Sequence, residues 1–143
     1  MQCLEIMTST NEYVILNSKM SNLTNYKKVY NINIIIEFTL ASFHQRISLN
    51  QVATLACMSV SAFCHYFKRC MQKTYIDYLN EVRLRYACEQ LLQTNKPVKD
   101  IGFESGYNTI TYFHRQFLRI YKITPLQYRN QNKMPSEAKV IPL

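Results

Sequence analysis

The side chains of this chain with potential for metal or thiol chemistry are five cysteines and three histidines. They are Cys3, Cys57, Cys64, Cys70, Cys88, His44, His65 and His114. An odd number of cysteines with no C-x-x-C pair is typical of a reducing compartment, where thiols serve as small apolar side chains. The histidines show no ligand spacing with the cysteines, so we predict no metal site.

One adjacent pair, Cys64 and His65, has the composition of a thiol nucleophile and its base. Neighbouring residues on a helix diverge by about 100°, and the sequence places no acidic residue to orient the imidazole. We therefore expect no catalytic residues, no enzymatic activity and no cofactor.

The charge of the chain points to a polyanionic partner instead. Lys and Arg number 17 against 9 Asp and Glu, a net charge of +8 over 143 residues. A basic helical chain most often binds a polyanion, although a solvated basic surface gives the same composition. The N-terminus has no signal-peptide pattern, and the most apolar run, 32–43, contains Asn33 and Glu37. We therefore predict no membrane-spanning segment and a cytoplasmic location.

A long helix over residues 74–93, whose start Thr74 can cap, must position the rest of the chain. Its apolar residues form two sets at helical spacing on roughly opposite sides. One set is Tyr75, Tyr78, Leu79, Val82 and Tyr86, and the other is Leu84, Ala87, Cys88, Leu91 and Leu92. A helix that joins two cores needs such a change of side, whereas a single helix buried all round is the alternative.

A pair of short helices precedes this long helix in the sequence, and another pair follows it. In the first pair, Ser48 and Gln51 form a capping box, Cys57-Met58 makes a turn and Ser59 caps the second helix. In the second pair, Pro97 suits a first turn, Gly106 can take positive φ in a turn, and Thr109 caps the second helix. Thr124-Pro125 opens a last short helix that we expect to end near Arg129.

The two pairs repeat each other, at an offset of fifty from the second helices onward and of forty-nine in the first helices, so both read as helix-turn-helix units. The matched residues are Phe63 and Phe113, Phe67 and Phe117, Arg69 and Arg119, Thr74 and Thr124, and Tyr78 and Tyr128. Besides the four phenylalanines, the spacing predicts inward side chains at Leu40, Cys70, Val98, Ile101 and Phe103. Gly102 is expected where a partner helix approaches closely, and Gly102→Ala is expected to be neutral or stabilising.

These patterns predict an all-α chain with the following boundaries. Residues 1–26 form an arm, either poorly ordered or the remnant of something larger, and 131–143 form a tail. One helical domain spans 27–130: a first helix-turn-helix unit (27–73), the linker helix (74–94) and a second unit (95–130).

The sequence resembles the DNA-binding domain of the AraC/XylS family of bacterial transcription regulators over roughly residues 26–129. The strongest match, to G-F…S-Y-F-x-R-x-F…T-P-x-x-Y-R, comprises Gly106-Tyr107, Thr111-Tyr112-Phe113, Arg115, Phe117, Thr124-Pro125 and Tyr128-Arg129. Arg83-Leu84, Ala87 and Leu91-Leu92 resemble the linker pattern R-L-x-x-A-x-x-L-L, and Met58-Ser59 with Phe67-Lys68 resemble the M-S…F-K of the first unit.

The chain departs from the family pattern at five places. Gly102 stands where Ala is usual, Tyr107 where Phe is, His65 where Arg is, and Gln72 and Lys122 where Gly is. The loss of the arginine predicts weak base reading by the first unit.

The resemblance implies a homeodomain-like fold in which two recognition helices enter adjacent major-groove segments, so that one monomer suffices for binding. Many members carry a further effector-binding or dimerisation domain, and this chain reads as a single-domain regulator or a truncated product. Double-stranded DNA and RNA polymerase are the implied partners, in the bacterial nucleoid.

The inward phenylalanines determine which residues of the two recognition helices face outward. For reading bases we predict Ser61, Cys64, His65, Ile110, Thr111, His114 and Arg115. For contacting phosphates we predict Lys68, Arg69, Lys73, Arg119 and Lys122. Tyr112 and Tyr128 are expected to pack rather than stack on single-stranded bases.

Two functions follow. The first is a sequence-specific duplex-DNA binder that regulates transcription, by resemblance an activator. The second is a protein-interaction module that contacts RNA polymerase or another regulator and has lost specific DNA binding.

Overall fold

Seven helices and no strand make up the regular structure of residues 31–133, the part of the chain that the computed structural model describes. They are α1 (31–42), α2 (Leu49–Leu55), α3 (Val60–Met71), α4 (Tyr75–Gln93), α5 (Val98–Glu104), α6 (Ile110–Tyr121) and α7 (Pro125–Asn132). The predicted arm at 1–26, the start of the first unit and the tail from residue 134 lie outside the described residues. Within 31–133, no helix is both long and apolar enough to cross a membrane.

Hydroxyl side chains begin five of these helices, as the sequence predicts. Ser59, Thr74 and Thr109 each accept a hydrogen bond from the backbone N–H three residues on. Ser48 and Thr124 form complete capping boxes with the glutamines at the third helical position. Each cap satisfies backbone donors that have no partner inside the helix.

The two-core interpretation of α4 is confirmed. Its first half contributes Tyr75, Leu79 and Val82 to a core shared with α1, α2 and α3. Its second half contributes Leu84, Ala87, Cys88 and Leu91 to a separate core shared with α5 and α6. The apolar face changes sides between Val82 and Leu84 because each half of the helix faces a different unit.

The repeat is visible in the turns as well as in the cores. Phe63, Phe67, Phe113 and Phe117 are all fully buried. The N–H of Met58 donates to Ala53 at 2.9 Å, and the N–H of Tyr107 donates to Gly102 at 3.2 Å. Gly106 takes φ of 95°, as predicted, and Cys57 takes φ of 56° at the corresponding place.

Four side chains predicted to point inward are exposed. One of them is Leu92, the last residue of the second apolar set on α4, which is 37% exposed. On α1 the inner line runs through Ile35, Thr39 and Phe43, so Leu40 is 51% exposed. Thr39 is buried because its hydroxyl bonds the carbonyl of Ile35 and the Tyr75 hydroxyl, at 2.7 and 2.8 Å.

The other two lie in the helix-turn-helix units. Tyr66 takes the inner position of α3 that was assigned to Cys70, which is exposed. Phe103 is 43% exposed because α5 faces the core through Ile101. At about 100° per residue, a side chain two positions on points away.

The last helix is longer than predicted and is fixed to the linker helix. It continues past Arg129 to Asn132. Arg129 donates from Nε to the carbonyl of Leu91 at 3.1 Å and from Nη2 to that of Lys96 at 2.6 Å. These bonds satisfy carbonyls at and beyond the end of α4, which would otherwise lack partners.

Candidate nucleic-acid interface

The recognition helices α3 and α6 present polar side chains on the face opposite their buried phenylalanines. All but one of the seven predicted base-reading residues are exposed. The exposed ones are Ser61, Cys64 and His65 on α3, and Thr111, His114 and Arg115 on α6. Each set lies in the first half of its helix, which is the part that a recognition helix presents to base edges.

Ile110 differs from the expectation. It is half-buried and packs against the second core. Its Cδ1 atom lies 3.3 Å from where a Cβ on Gly102 would stand. Ile110 therefore has a packing role in the second unit, beside the position where Gly102 lacks a side chain, and its contact with a base stays a prediction.

Arg115 lies beside an aromatic ring on its own helix. The central carbon of its guanidinium is 5.7 Å from the centre of the Tyr112 ring. Tyr112 and Tyr128 are half-buried and pack on the second core, which confirms their expected packing role. The ring of Tyr112 gives Arg115 a favourable cation–π contact while leaving the guanidinium exposed to solvent.

Two of the predicted phosphate-contacting residues are paired with carboxylates of the linker helix. Lys73 lies 2.7 Å from a carboxylate oxygen of Glu81, and Arg119 lies 3.0 Å from one of Asp77. The four residues line one open cleft between α4 and α6, together with Ile120. Neither acid was predicted as a partner, and nothing local in the sequence brings Asp77 near Arg119, 42 positions away.

The carboxylate of Asp77 is electrostatically tuned by this arrangement. Hydrogen bonds from the Thr74 hydroxyl and from Arg119 hold the pKa of Asp77 below its ordinary value. Asp77 also lies in the first turn of α4, where the helix dipole favours negative charge. Asp77 is therefore ionised at neutral pH and is the anionic partner of Arg119.

The remaining predicted phosphate contacts surround the ends of the recognition helices. Lys68 and Arg69 are exposed in the last turn of α3. Lys122 follows α6 and donates from Nζ to the carbonyl of Arg119 at 2.8 Å. These three basic residues have no carboxylate within ion-pair distance in the described part of the chain.

The four cysteines that the structure describes do not assemble into a reactive centre. Cys57, Cys64 and Cys70 are exposed free thiols, while burial raises the pKa of the Cys88 thiol. Within residues 31–133, no group of three His, Cys, Asp or Glu side chains is placed to hold a metal ion.

The chain is similar in sequence and structure to known proteins. A family model described as "Helix-turn-helix domain" matches residues 52–131, more than half of the chain. The chain belongs to the AraC/XylS family. It is 30% identical over 88 residues to the HTH-type transcriptional regulator YdeC of Bacillus subtilis, and 29% identical over 93 residues to AdiY of Escherichia coli.

These matches cover only part of the relatives. They span 62% and 65% of this chain but 30% of YdeC and 36% of AdiY, so the chain spans about a third of the length of these relatives. Among solved structures, the C-terminal domain of AraT, a response regulator from Geobacillus stearothermophilus, is similar at a TM-score of 0.70 and 25% identity. That similarity covers 74% of this chain and 88% of the AraT domain.

Two residues with strained backbone conformation stand at glycine positions of the AraC/XylS pattern. Gln72 and Lys122 directly follow α3 and α6 and take φ of 58° and 64°. Both stand where the family pattern has glycine, which adopts this conformation without steric cost. Each side chain donates to the carbonyl three residues back, at 3.0 Å for Gln72 and 2.8 Å for Lys122.

Proposed function

We propose that this chain is a sequence-specific duplex-DNA-binding regulator of transcription that inserts α3 and α6 into adjacent major-groove segments. The observation that carries the proposal is the duplicated unit, in which two buried phenylalanines point an exposed polar set away from the core. Lys68 and Arg69 continue the first set, so base-reading and phosphate-contacting side chains share one surface.

The proposal assigns base reading chiefly to the second unit. Arg115 offers two donors to guanine O6 and N7, and Thr111 and His114 flank it on the exposed face of α6. Ser61, Cys64 and His65 of the first unit offer weaker discrimination. Activation through contact with RNA polymerase, and binding as a monomer, follow from the family resemblance.

Selection of sites from random DNA, followed by footprinting, tests this function. We expect two protected segments about one helical turn apart. Lys68, Arg69 and Lys122 have no carboxylate partner among residues 31–133, so log affinity should fall with log salt at a slope of about −3, from about −0.9 per phosphate. Protection of a single groove with no salt dependence would contradict the proposal.

A second function is favoured by the ion pairs in the cleft. Because Glu81 and Asp77 neutralise Lys73 and Arg119, fewer basic residues face a polyanion than the sequence suggests. A protein-interaction module that contacts RNA polymerase or another regulator would tolerate this loss. Such a module should select no DNA sequence in the same experiment.

A further inference from the structure

A buried asparagine in the linker helix connects it to the second unit. Asn80 is 3% exposed and lies on α4 just before the apolar face changes sides. Its Oδ1 accepts a hydrogen bond from the hydroxyl of Tyr107 at 3.1 Å, and its Nδ2 donates to that of Tyr112 at 3.4 Å. The hydroxyl of Tyr107, itself 3% exposed, exists only because this chain has tyrosine where the family pattern has phenylalanine.

One turn further along α4, Arg83 connects the same helix to the first unit. Its Nε and Nη2 atoms donate to the carbonyls of Phe43 and Gln45, both at 2.9 Å, just beyond the end of α1. Its guanidinium also lies over the ring of Tyr107, 5.7 Å from the ring centre. Arg83 therefore contacts both units at once.

The two units also touch directly at this place. Nδ1 of His44, next to the end of α1, donates to the carbonyl of Glu104 at 2.9 Å. A Cβ on Gly106 would overlap the carbonyl oxygen of Phe43 and would lie 2.8 Å from Nε of Arg83. The turn before α6 therefore packs on the backbone at the end of α1 with no room for a side chain.

We propose that Asn80, Arg83 and Tyr107 form an interunit junction that fixes the distance and angle between the two recognition helices. In this proposal, which rests on the proposed DNA binding, they determine which separation of the two DNA segments the protein accepts. They are positioning residues and do not contact bases. The reason is geometric: α3 is carried by the first unit and α6 follows the turn at Tyr107, so any rotation at the junction moves one recognition helix relative to the other.

The role of the junction can be measured by changing the spacing between the two DNA segments. One added base pair shifts the second segment by about 3.4 Å and rotates it by about 35°. A rigid protein cannot follow that displacement and loses the contacts of one unit. A protein with a loosened junction can follow it in part.

The key variant removes both buried partners together. Asn80→Leu with Tyr107→Phe replaces two bonded polar groups by apolar ones, which is close to neutral for stability, whereas either change alone leaves a buried polar atom without a partner. Tyr78→Phe is the matched control, since it removes a hydroxyl from a half-buried tyrosine of α4 that packs on the first core.

The first measurement compares dissociation constants for the selected site and for the same site with one base pair inserted or deleted between its segments. The wild type and the Tyr78→Phe control should lose about tenfold or more in affinity, the cost of one lost bidentate base contact. The double variant should lose about threefold or less, with its affinity for the second segment alone unchanged. A folded double variant with the wild-type spacing preference would overturn the proposal.

The second measurement needs no DNA and separates failure of the junction from failure of the proposed function. Spin labels on Cys64 and on Thr111→Cys, with the other cysteines replaced, report the distance between the recognition helices. We expect one narrow distribution in the labelled protein that keeps Asn80 and Tyr107, and a broader one in the labelled double variant. If the distribution stays the same, the junction proposal is wrong whatever the DNA experiments show. If the wild type selects no DNA, only the proposed function fails.

Discussion

Nη2 of Arg119, in the last turn of α6, lies 3.0 Å from Oδ1 of Asp77, in the first turn of α4. Both side chains are partly exposed, so the pair contributes at most about 1 kcal/mol to stability. Its larger effect is on charge at the proposed interface. While Asp77 holds Arg119, the second unit presents one basic residue fewer to a phosphate.

Asp77→Asn should therefore strengthen DNA binding at a small cost in stability. Removing the carboxylate releases Arg119 for a phosphate, so the slope of log affinity against log salt should become steeper by about 0.9. The lost interaction with the helix dipole should lower the free energy of unfolding by about 0.3–1 kcal/mol.

Titrations with the selected duplex at several salt concentrations measure this change. Glu89→Gln is the control, because the exposed Glu89 lies about 18 Å further along α4 and forms no ion pair within the described residues. Equal slopes for Asp77→Asn and the wild type would show that Arg119 does not reach a phosphate.

The same carboxylate predicts a pH dependence of stability. Because the pKa of Asp77 is lowered in the folded state, the ionised side chain stabilises the fold above its unfolded pKa of about 3.9. The contribution disappears as the pH falls through the lower folded value. Chemical unfolding should show a difference between wild type and Asp77→Asn that is constant from neutral pH to about pH 5 and shrinks below about pH 4. A difference that grows in acid would contradict this assignment.

Local patterns predicted most of the fold. Serine and threonine caps were placed correctly because a capping hydrogen bond spans only three residues. The change of apolar side in α4 was predicted from helical spacing alone, since each half of that helix must bury its own face. Leu40 was misassigned because a threonine, satisfied by a tyrosine 36 residues away, takes the inner position.

The candidate site was less predictable, because its side chains also pair with residues far away in the sequence. Helical spacing relative to the buried phenylalanines identified the exposed residues of α3 and α6. It carries no information about partners that are distant in the sequence. The pairs that join Arg119 to Asp77 and Tyr107 to Asn80 depend on how the second unit packs on α4. The roles assigned to these pairs stay predictions, which the binding and distance measurements test.

Gly102→Ala shows where packing reverses an expectation drawn from helix propensity. Alanine gains about 1 kcal/mol over glycine inside a helix. A Cβ at Gly102, however, would lie 2.9 Å from Cδ1 of the fully buried Phe113 and 3.1 Å from its Cγ. Overpacking of this kind costs about 1–3 kcal/mol, so we now expect a net destabilisation of about 1 kcal/mol.

Thermal unfolding of Gly102→Ala tests the reversal, and Phe113→Leu provides the matched background. With the ring removed, the same alanine should be neutral or stabilising, so the two changes should be non-additive. A raised melting temperature for Gly102→Ala in the wild-type background would restore the original expectation.

Gln72→Gly and Lys122→Gly separate backbone strain from charge. Each relieves a non-glycine residue with positive φ at the end of a recognition helix. The gain is partly offset by the greater freedom of glycine in the unfolded chain, so each should stabilise by up to about 1 kcal/mol. Only Lys122→Gly also removes a predicted phosphate contact, so it alone should weaken binding to all DNA sequences. Equal affinities for the two variants would remove Lys122 from the interface.

The last prediction concerns which unit reads sequence. A guanidinium that makes two bonds to guanine gives about 1–3 kcal/mol of discrimination, which a serine or a thiol cannot supply. Arg115 is exposed and lies over the Tyr112 ring, whereas the corresponding face of α3 offers Ser61, Cys64 and His65. Arg115→Ala should therefore relax base preference at one position of the selected site.

Lys68→Ala should instead weaken binding to all sequences about equally and reduce the salt slope by about one. Dissociation constants for the selected site and its single-base variants distinguish the two effects. If His65→Ala erased the base preferences and Arg115→Ala preserved them, sequence reading would belong to the first unit.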